Sequence, residues 1–148
     1  MNNTLQFKQS GQLDPALLDP ATVANAEKLL GRWLNTNRET HGIAECEIQR
    51  DGDRFNIKIS GAGVDGPIVW PTVRVKALGN LEEEAGQRTI ALAANFEFGF
   101  MKSETYIRVN KGVLVIVLFN TFQDESGRSN YLNREFFYRA GGSSEFSL

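Results

Sequence analysis

From residue 33 to residue 139 the chain reads with a period of two, apolar and polar residues alternating, and no other feature narrows its fold as much. A period of two sends successive side chains to opposite faces of a strand, so each run has one face to bury and one to wet. Eight strand candidates can be drawn, at 32–37, 43–50, 54–60, 68–78, 87–98, 100–110, 113–122 and 129–139. Asp51-Gly52, Asn110-Lys111-Gly112 and Asp124-Glu125-Ser126-Gly127 are hairpin signals. Gly61-Ala62-Gly63 with Asp65-Gly66-Pro67, and the stretch 79–86, read as longer loops. No second helical pattern interrupts the series, which argues against a parallel sheet with crossover helices. The expectation is an all-β fold, an eight-stranded antiparallel up-and-down β-barrel, because closing the meander removes its exposed edges. A barrel of this size encloses side chains or one small ligand.

The alternation also assigns faces. Phe55, Ile57 and Ile59 are expected inside, as are Val73, Val75 and Ala77. The same holds for Ile90, Leu92, Phe96 and Phe98, and for Met101, Thr105, Ile107 and Val109. The run 113–119 is apolar on both faces, so its outer side calls for cover by the N-terminal arm or by a second subunit of a homodimer. The last strand leaves two faces open: Tyr131, Asn133, Glu135 and Phe137, or Leu132, Arg134, Phe136 and Tyr138.

Ahead of the strands, Asp19-Pro20 supplies an N-cap followed by proline at the first helical position. Val23, Ala26, Leu29 and Leu30 then share one face at helical spacing, so the barrel is expected to be preceded by one short N-terminal helix ending at Gly31. Residues 1–19 read as an irregular arm, 20–139 as a single domain of helix plus barrel, and 140–148 as a tail of flexible composition.

The net charge of −2 lacks the clustered basic excess of a nucleic-acid-binding surface. The single cysteine, Cys46, allows no internal disulfide. The apolar run 113–119 is far short of the roughly 20 residues a spanning helix needs, so no membrane span is expected. No basic region followed by an apolar run opens the chain, which sets the expectation of a cytoplasmic protein.

Gly31-Arg32-Trp33 opens the first strand and Phe137-Tyr138-Arg139 closes the last. A glycine, any residue and a tryptophan at the first strand, with an arginine at the end of the last, resembles the signature of lipocalins and related calycin barrels. That resemblance implies that Trp33 closes one end of the barrel and that Arg139 covers it, with Arg134 a competing candidate for the cover. It implies a lipocalin-like pocket for a small hydrophobic molecule (lipid-, polyketide- or terpenoid-like), and, in some barrels of the kind, cyclisation of a polyene within the pocket.

If Trp33 plugs its end, the opposite end is the mouth. The residues expected there include Asn35, His41, Ile59, Val69, Trp70, Phe96, Phe98, Phe100, Met101, Phe119, Phe122, Tyr131 and Asn133. A mostly apolar pocket with a few polar groups is the usual make-up of a small-molecule site, and a filled aromatic core is the plainer alternative. Trp70 shares the parity of Thr72 and Arg74, unless Pro71 marks a bulge that changes its face.

Groups able to do chemistry are few. His41 is the only histidine and lies in a polar turn. Cys46 has apolar neighbours on its face and reads as a small core residue; with one histidine and one cysteine a zinc site of the usual ligands cannot be assembled, and no cofactor or metal is expected. Glu82-Glu83-Glu84 reads as a solvated loop, and Gly61-Ala62-Gly63 precedes a strand rather than a helix, a poor phosphate cradle. Arg134-Glu135, or Glu97 with Lys102 and Glu104, could place a charge inside, where a buried acid can serve as a general acid; paired surface charges are the plainer reading. Asn35, Ser103, Thr105, Asn120, Thr121 and Asn133 offer neutral hydrogen bonds to a ligand. Three functions are therefore open. The first is a binding protein for a small hydrophobic molecule. The second is a cofactor-independent cyclase or isomerase using Glu135 and Asn120. The third is a packed barrel serving as a protein-interaction module.

Overall fold

The computed structural model describes residues 27–52, 54–79 and 89–141. Its strands are β1 (Gly31–Asn35), β2 (Ile43–Asp51), β3 (Arg54–Gly61), β4 (Ile68–Val69), β5 (Val73–Gly79), β6 (Thr89–Glu97), β7 (Met101–Asn110), β8 (Val113–Phe122) and β9 (Tyr131–Arg139). All pairings are antiparallel. Because β2 pairs with both β1 and β3, and β1 with β9, the sheet closes into a barrel of eight strands, β1-β2-β3-β5-β6-β7-β8-β9. The two-residue β4 is an extra pairing on the end of β3.

Seven of the expected strands appear as single strands, and the eighth, 68–78, is split. Ser60 opposite Val69 continues the β3–β4 ladder, and the Trp70 amide still donates to the Ile59 carbonyl at 2.9 Å. Pro71 then ends the ladder, having no N–H to give. On resuming, β5 sets Val73 opposite Ile57 and Val75 opposite Phe55. The break therefore resets the parity of the run, as a bulge at Pro71 would.

The described part of the expected helix is one 3-10 turn, Glu27–Leu29, in place of an α-helix. The segment 20–26, the arm 1–19, the loop 80–88 with Glu82-Glu83-Glu84, and the tail from 142 lie outside the described residues. Ala140, just after the last strand, donates its amide to the Arg32 carbonyl at 2.8 Å.

The interior follows the alternation. Phe55, Ile57, Ile59, Leu92, Phe96 and Ile107 are buried, and Val73, Val75, Phe98 and Val109 are half-buried against them. Ala77 departs from the pattern and is exposed, beside the register irregularity between Leu78 and Gly79 at the end of β5. On β8 the buried face is Leu114, Ile116, Leu118 and Asn120. The β8–β9 register sets Phe137 opposite Leu114 and Glu135 opposite Ile116, so Tyr131, Asn133, Glu135, Phe137 and Arg139 take the inward parity of the last strand. The outer face of β7, β8 and β9 keeps Tyr106, Phe119, Leu132 and Phe136 exposed, and Tyr106 meets Phe119 edge to face at 5.8 Å.

One end is closed by the first and last strands. Trp33 sits opposite Arg139 and is 1% exposed. The Arg139 guanidinium lies 4.3 Å from the centre of the indole ring, a cation–π contact. The indole N–H donates to the Leu29 carbonyl at 2.9 Å, and Arg139 donates to the carbonyls of Lys28 (2.6 Å) and Leu30. Three consecutive carbonyls at the end of the 3-10 turn are thus satisfied by the two side chains that form the plug. Gly31 has φ +118°, and a Cβ there would lie 2.6 Å from Arg139 Nη1. Arg134, the competing candidate, points outward with its guanidinium 5.3 Å from the Phe136 ring.

Candidate functional site

The plug leaves the other end as the place where the interior meets solvent. The links β1–β2, β6–β7 and β8–β9 lie there, together with the end of β3. One wall of this end is polar and the other aromatic.

The polar wall is organised by Glu135, which hangs inward from β9 and is half-buried. Its Oε1 accepts from Thr40 Oγ1 at 2.7 Å and from Asn35 Nδ2 at 3.0 Å. Its Oε2 accepts from the Ile43 amide at 3.1 Å and from Asn133 Nδ2 at 3.3 Å. Gly42 backs the carboxylate closely, and a Cβ there would come within 2.7 Å of both oxygens. Asn35 Nδ2 also donates to the Ile43 carbonyl at 2.7 Å, while its Oδ1 accepts from the Asn37 amide at 2.8 Å. Glu135 therefore anchors the turn between β1 and β2 to the last strand. The wall continues across β8 and β7. Asn120 Nδ2 donates to Asn133 Oδ1 at 2.9 Å, and Asn120 itself sits opposite buried Ser103, whose hydroxyl is 3.3 Å from that of Thr105. Asn120 Oδ1 is buried and has no hydrogen-bond partner.

The aromatic set is a continuous run of rings that shares β8 and β9 with the polar one, Phe122 following Asn120 and Tyr131 preceding Asn133 at inward positions. Trp70 meets Phe96 and Phe98 edge to face at 5.1 and 5.0 Å. Phe98 neighbours Phe100 at 6.2 Å, Phe100 stacks on Phe122 at 6.4 Å, and Phe122 reaches Tyr131 at 6.2 Å. Phe96 is 1% exposed, Trp70, Phe98 and Phe122 are half-buried, and Phe100 (44%) and Tyr131 (51%) are exposed. Arg128, in the β8–β9 link, places its guanidinium 4.3 Å from the Phe122 ring and 5.2 Å from the Phe100 ring. It is held by Asp124 at 2.7 Å. The hydrogen bond from Ser126, with the contacts of Arg128, keeps the Asp124 carboxyl below its ordinary value of 3.8.

The structure brings Asn35, Trp70, Phe96, Phe98, Phe100, Met101, Phe122, Tyr131, Asn133, Glu135 and Asn120 to this one end, with Met101 half-buried opposite Phe122. Two expected pocket residues are corrected. Val69 pairs with Ser60 on the outer parity of β3 and is 79% exposed, lining an outer groove of about 290 Å³ with Arg32, Glu45 and Lys58. Phe119 lies on the outer face of β8, because Leu118 and Asn120 take the inward parity. Thr121 likewise faces out, as do Glu97, Lys102 and Glu104. His41 is exposed in its turn. Cys46 is buried, and burial, reinforced by the Glu45 carboxylate, pushes its thiol far above the ordinary range. Thr40, Gly42 and Arg128 were not legible as site residues, since they lie in links where no alternation operates. Among the described residues no three His, Cys, Asp or Glu side chains are grouped to hold a metal ion.

Fold and site together define a closed, eight-stranded antiparallel barrel consistent with the calycin-like fold, plugged at one end and lined by a polar and an aromatic wall at the other. No family model matches the chain, and neither a curated protein nor a solved structure does.

Proposed function

We propose that this barrel binds a small, mostly apolar molecule at its unplugged end, in the manner of a lipocalin-like protein. The observation that carries the reading is the continuous aromatic run from buried Phe96 to exposed Phe100 and Tyr131, which shares the unplugged end with the inward polar residues. Rings left wet at the rim are stabilised by an apolar occupant, which removes their surface from water. Binding is favoured over cyclisation or isomerisation by the state of Glu135. Each of its oxygens already accepts two hydrogen bonds, so it serves as an anchor and not as a free acid or base.

The test is titration of the full chain with Nile red, an uncharged apolar dye, alongside native mass spectrometry of the protein as purified. Saturable one-to-one binding that Phe98→Ala weakens by about tenfold is expected. Absence of saturable binding, or binding indifferent to Phe98→Ala and Phe122→Ala, overturns the proposal in favour of a filled barrel.

A further inference from the structure

The hydrogen bonds of the polar wall have a direction, and that direction selects the ligand. An ionised carboxylate accepts and never donates. Glu135 Oε2 therefore requires the NH₂ end of the Asn133 amide, which lies 3.3 Å away. With Asn133 so oriented, its Oδ1 is left to accept, and it does so from Asn120 Nδ2 at 2.9 Å. The orientation of Asn120 follows in turn: its NH₂ is committed to Asn133 and its carbonyl oxygen is the free end. The carboxylate thus settles both amides, whose oxygen and nitrogen ends are otherwise interchangeable in shape. The chain ends on Asn120 Oδ1, an acceptor on a residue only 4% exposed, with no hydrogen-bond partner. A buried acceptor without a donor is costly, so this atom is the point where an added donor gains most.

Charge narrows the choice further. Among the described residues at the unplugged end, the inward parity carries Glu135 and no lysine or arginine. Arg139 belongs to the plug, and Arg128 is outside on the rim, paired with Asp124. A carboxylic acid would bring a second negative charge towards Glu135, and the cation at the rim, Arg128 over the Phe122 ring, is already paired with Asp124. An ether or ketone would set acceptor against acceptor at Asn120.

We infer that the molecule held in this barrel carries a hydrogen-bond donor and no negative charge, as an alcohol or phenol does, and that this group donates to Asn120 Oδ1 while the apolar body lies along the Trp70–Phe98–Phe122 rings. The inference rests on the proposed binding function and deepens it by naming the ligand's polar group. Glu135 is here a positioning residue, acting on the ligand through Asn133 and Asn120.

Three probes of one shape test it: 2-naphthol, 2-methoxynaphthalene and 2-naphthoate, titrated into the full chain near pH 7 by calorimetry. The hydroxyl probe is expected to bind at least about tenfold tighter than either of the others, because a site built around a hydrogen bond rejects the analogue that lacks it. Glu135→Gln gives a sharper outcome. A glutamine has a donating end, so Asn133 and Asn120 are free to turn over, and the preference for naphthol over its methyl ether should fall towards one while binding of the ether persists. Asn120→Leu should abolish the same preference, and it supplies the test if Glu135→Gln fails to fold by circular dichroism. Equal binding of naphthol and its ether, tighter binding of naphthoate, or a preference unmoved in both variants overturns the inference and leaves the binding function standing. Failure of all three probes and of Nile red overturns both.

Discussion

Removing the Arg139 guanidinium while keeping its stem, by Arg139→Met, takes away three things at once. The cation–π contact over Trp33 at 4.3 Å contributes about 0.5–2 kcal/mol. The donations to the Lys28 and Leu30 carbonyls add a share of the roughly 1.5–3 kcal/mol typical of a hydrogen bond to a charged group, reduced because the Lys28 contact is exposed. A loss of about 2–4 kcal/mol is expected. Gly31→Ala reaches the same contacts from the other side. Its new Cβ would lie 2.6 Å from Nη1, and since that atom is the far end of a flexible side chain, the guanidinium swings away and gives up part of what Arg139→Met removes outright. The backbone adds its own cost, because φ +118° is a conformation that residues with a Cβ adopt only with strain of about 1–3 kcal/mol.

The two substitutions therefore share a term and must not add. In the Arg139→Met background nothing remains at Nη1 for the Cβ to displace, so Gly31→Ala should cost only its backbone strain. The coupling should be about 1–2 kcal/mol, with the double variant more stable than the sum of the single losses implies. Urea unfolding followed by far-ultraviolet circular dichroism on all four proteins measures it. Additivity within about 0.5 kcal/mol, the behaviour of independent sites, would refute the claim that Gly31 is there to let Arg139 cover Trp33.

Inside and outside can be told apart by thermal or urea unfolding of two variants. Phe96→Ala should cost about 3–5 kcal/mol as a buried ring, and Phe119→Ala less than about 1 kcal/mol as an exposed one; similar losses would reverse the assignment of faces. The Cys46 thiol, raised by burial, should fail to react with Ellman's reagent at pH 8 in the native protein and react fully once unfolded, whereas prompt native labelling would show the barrel wall open at β2. Asp124 should titrate below 3.8 when followed by carboxyl carbon NMR, and Ser126→Ala should move it back up. Because its folded value is the depressed one, its contribution to stability is complete above about 3.8 and is lost as pH falls through the lower folded value; a titration at or above 3.8 would disprove the Ser126 and Arg128 contacts.

What the sequence could disclose was whatever the strand period carries. A closed barrel has one inside, so alternation alone puts Ile57, Leu92 and Ile107 in the core, and the first and last strands must meet, which brings Trp33 opposite Arg139. The period is silent where both faces are apolar. Along β8 the sequence offers Val117 and Phe119 as readily as Leu118 for the interior, and only the closed sheet, with Asn120 opposite Ser103, decides it. Val69 is misassigned from the sequence for a related reason, since its parity is set by pairing with β3 before Pro71 and nothing local says which side of the proline governs; Trp70 takes the inward side through the bulge that Pro71 offered.

The polar wall lies beyond the reach of any local pattern, because it is assembled across β1, β9 and β8 from residues nearly a hundred positions apart, as Thr40 and Glu135 are. The sequence marks Glu135 as an acid on one of two candidate inward faces, and an inward acid invites a catalytic reading. Only its partners change that reading. Four donors on two oxygens turn the same carboxylate into a fixed acceptor, and through two amides that fixed acceptor exposes another acceptor on Asn120. On the proposed binding reading, the chemistry offered to a ligand is therefore decided less by which polar residues face inward than by which of them has no donor to give.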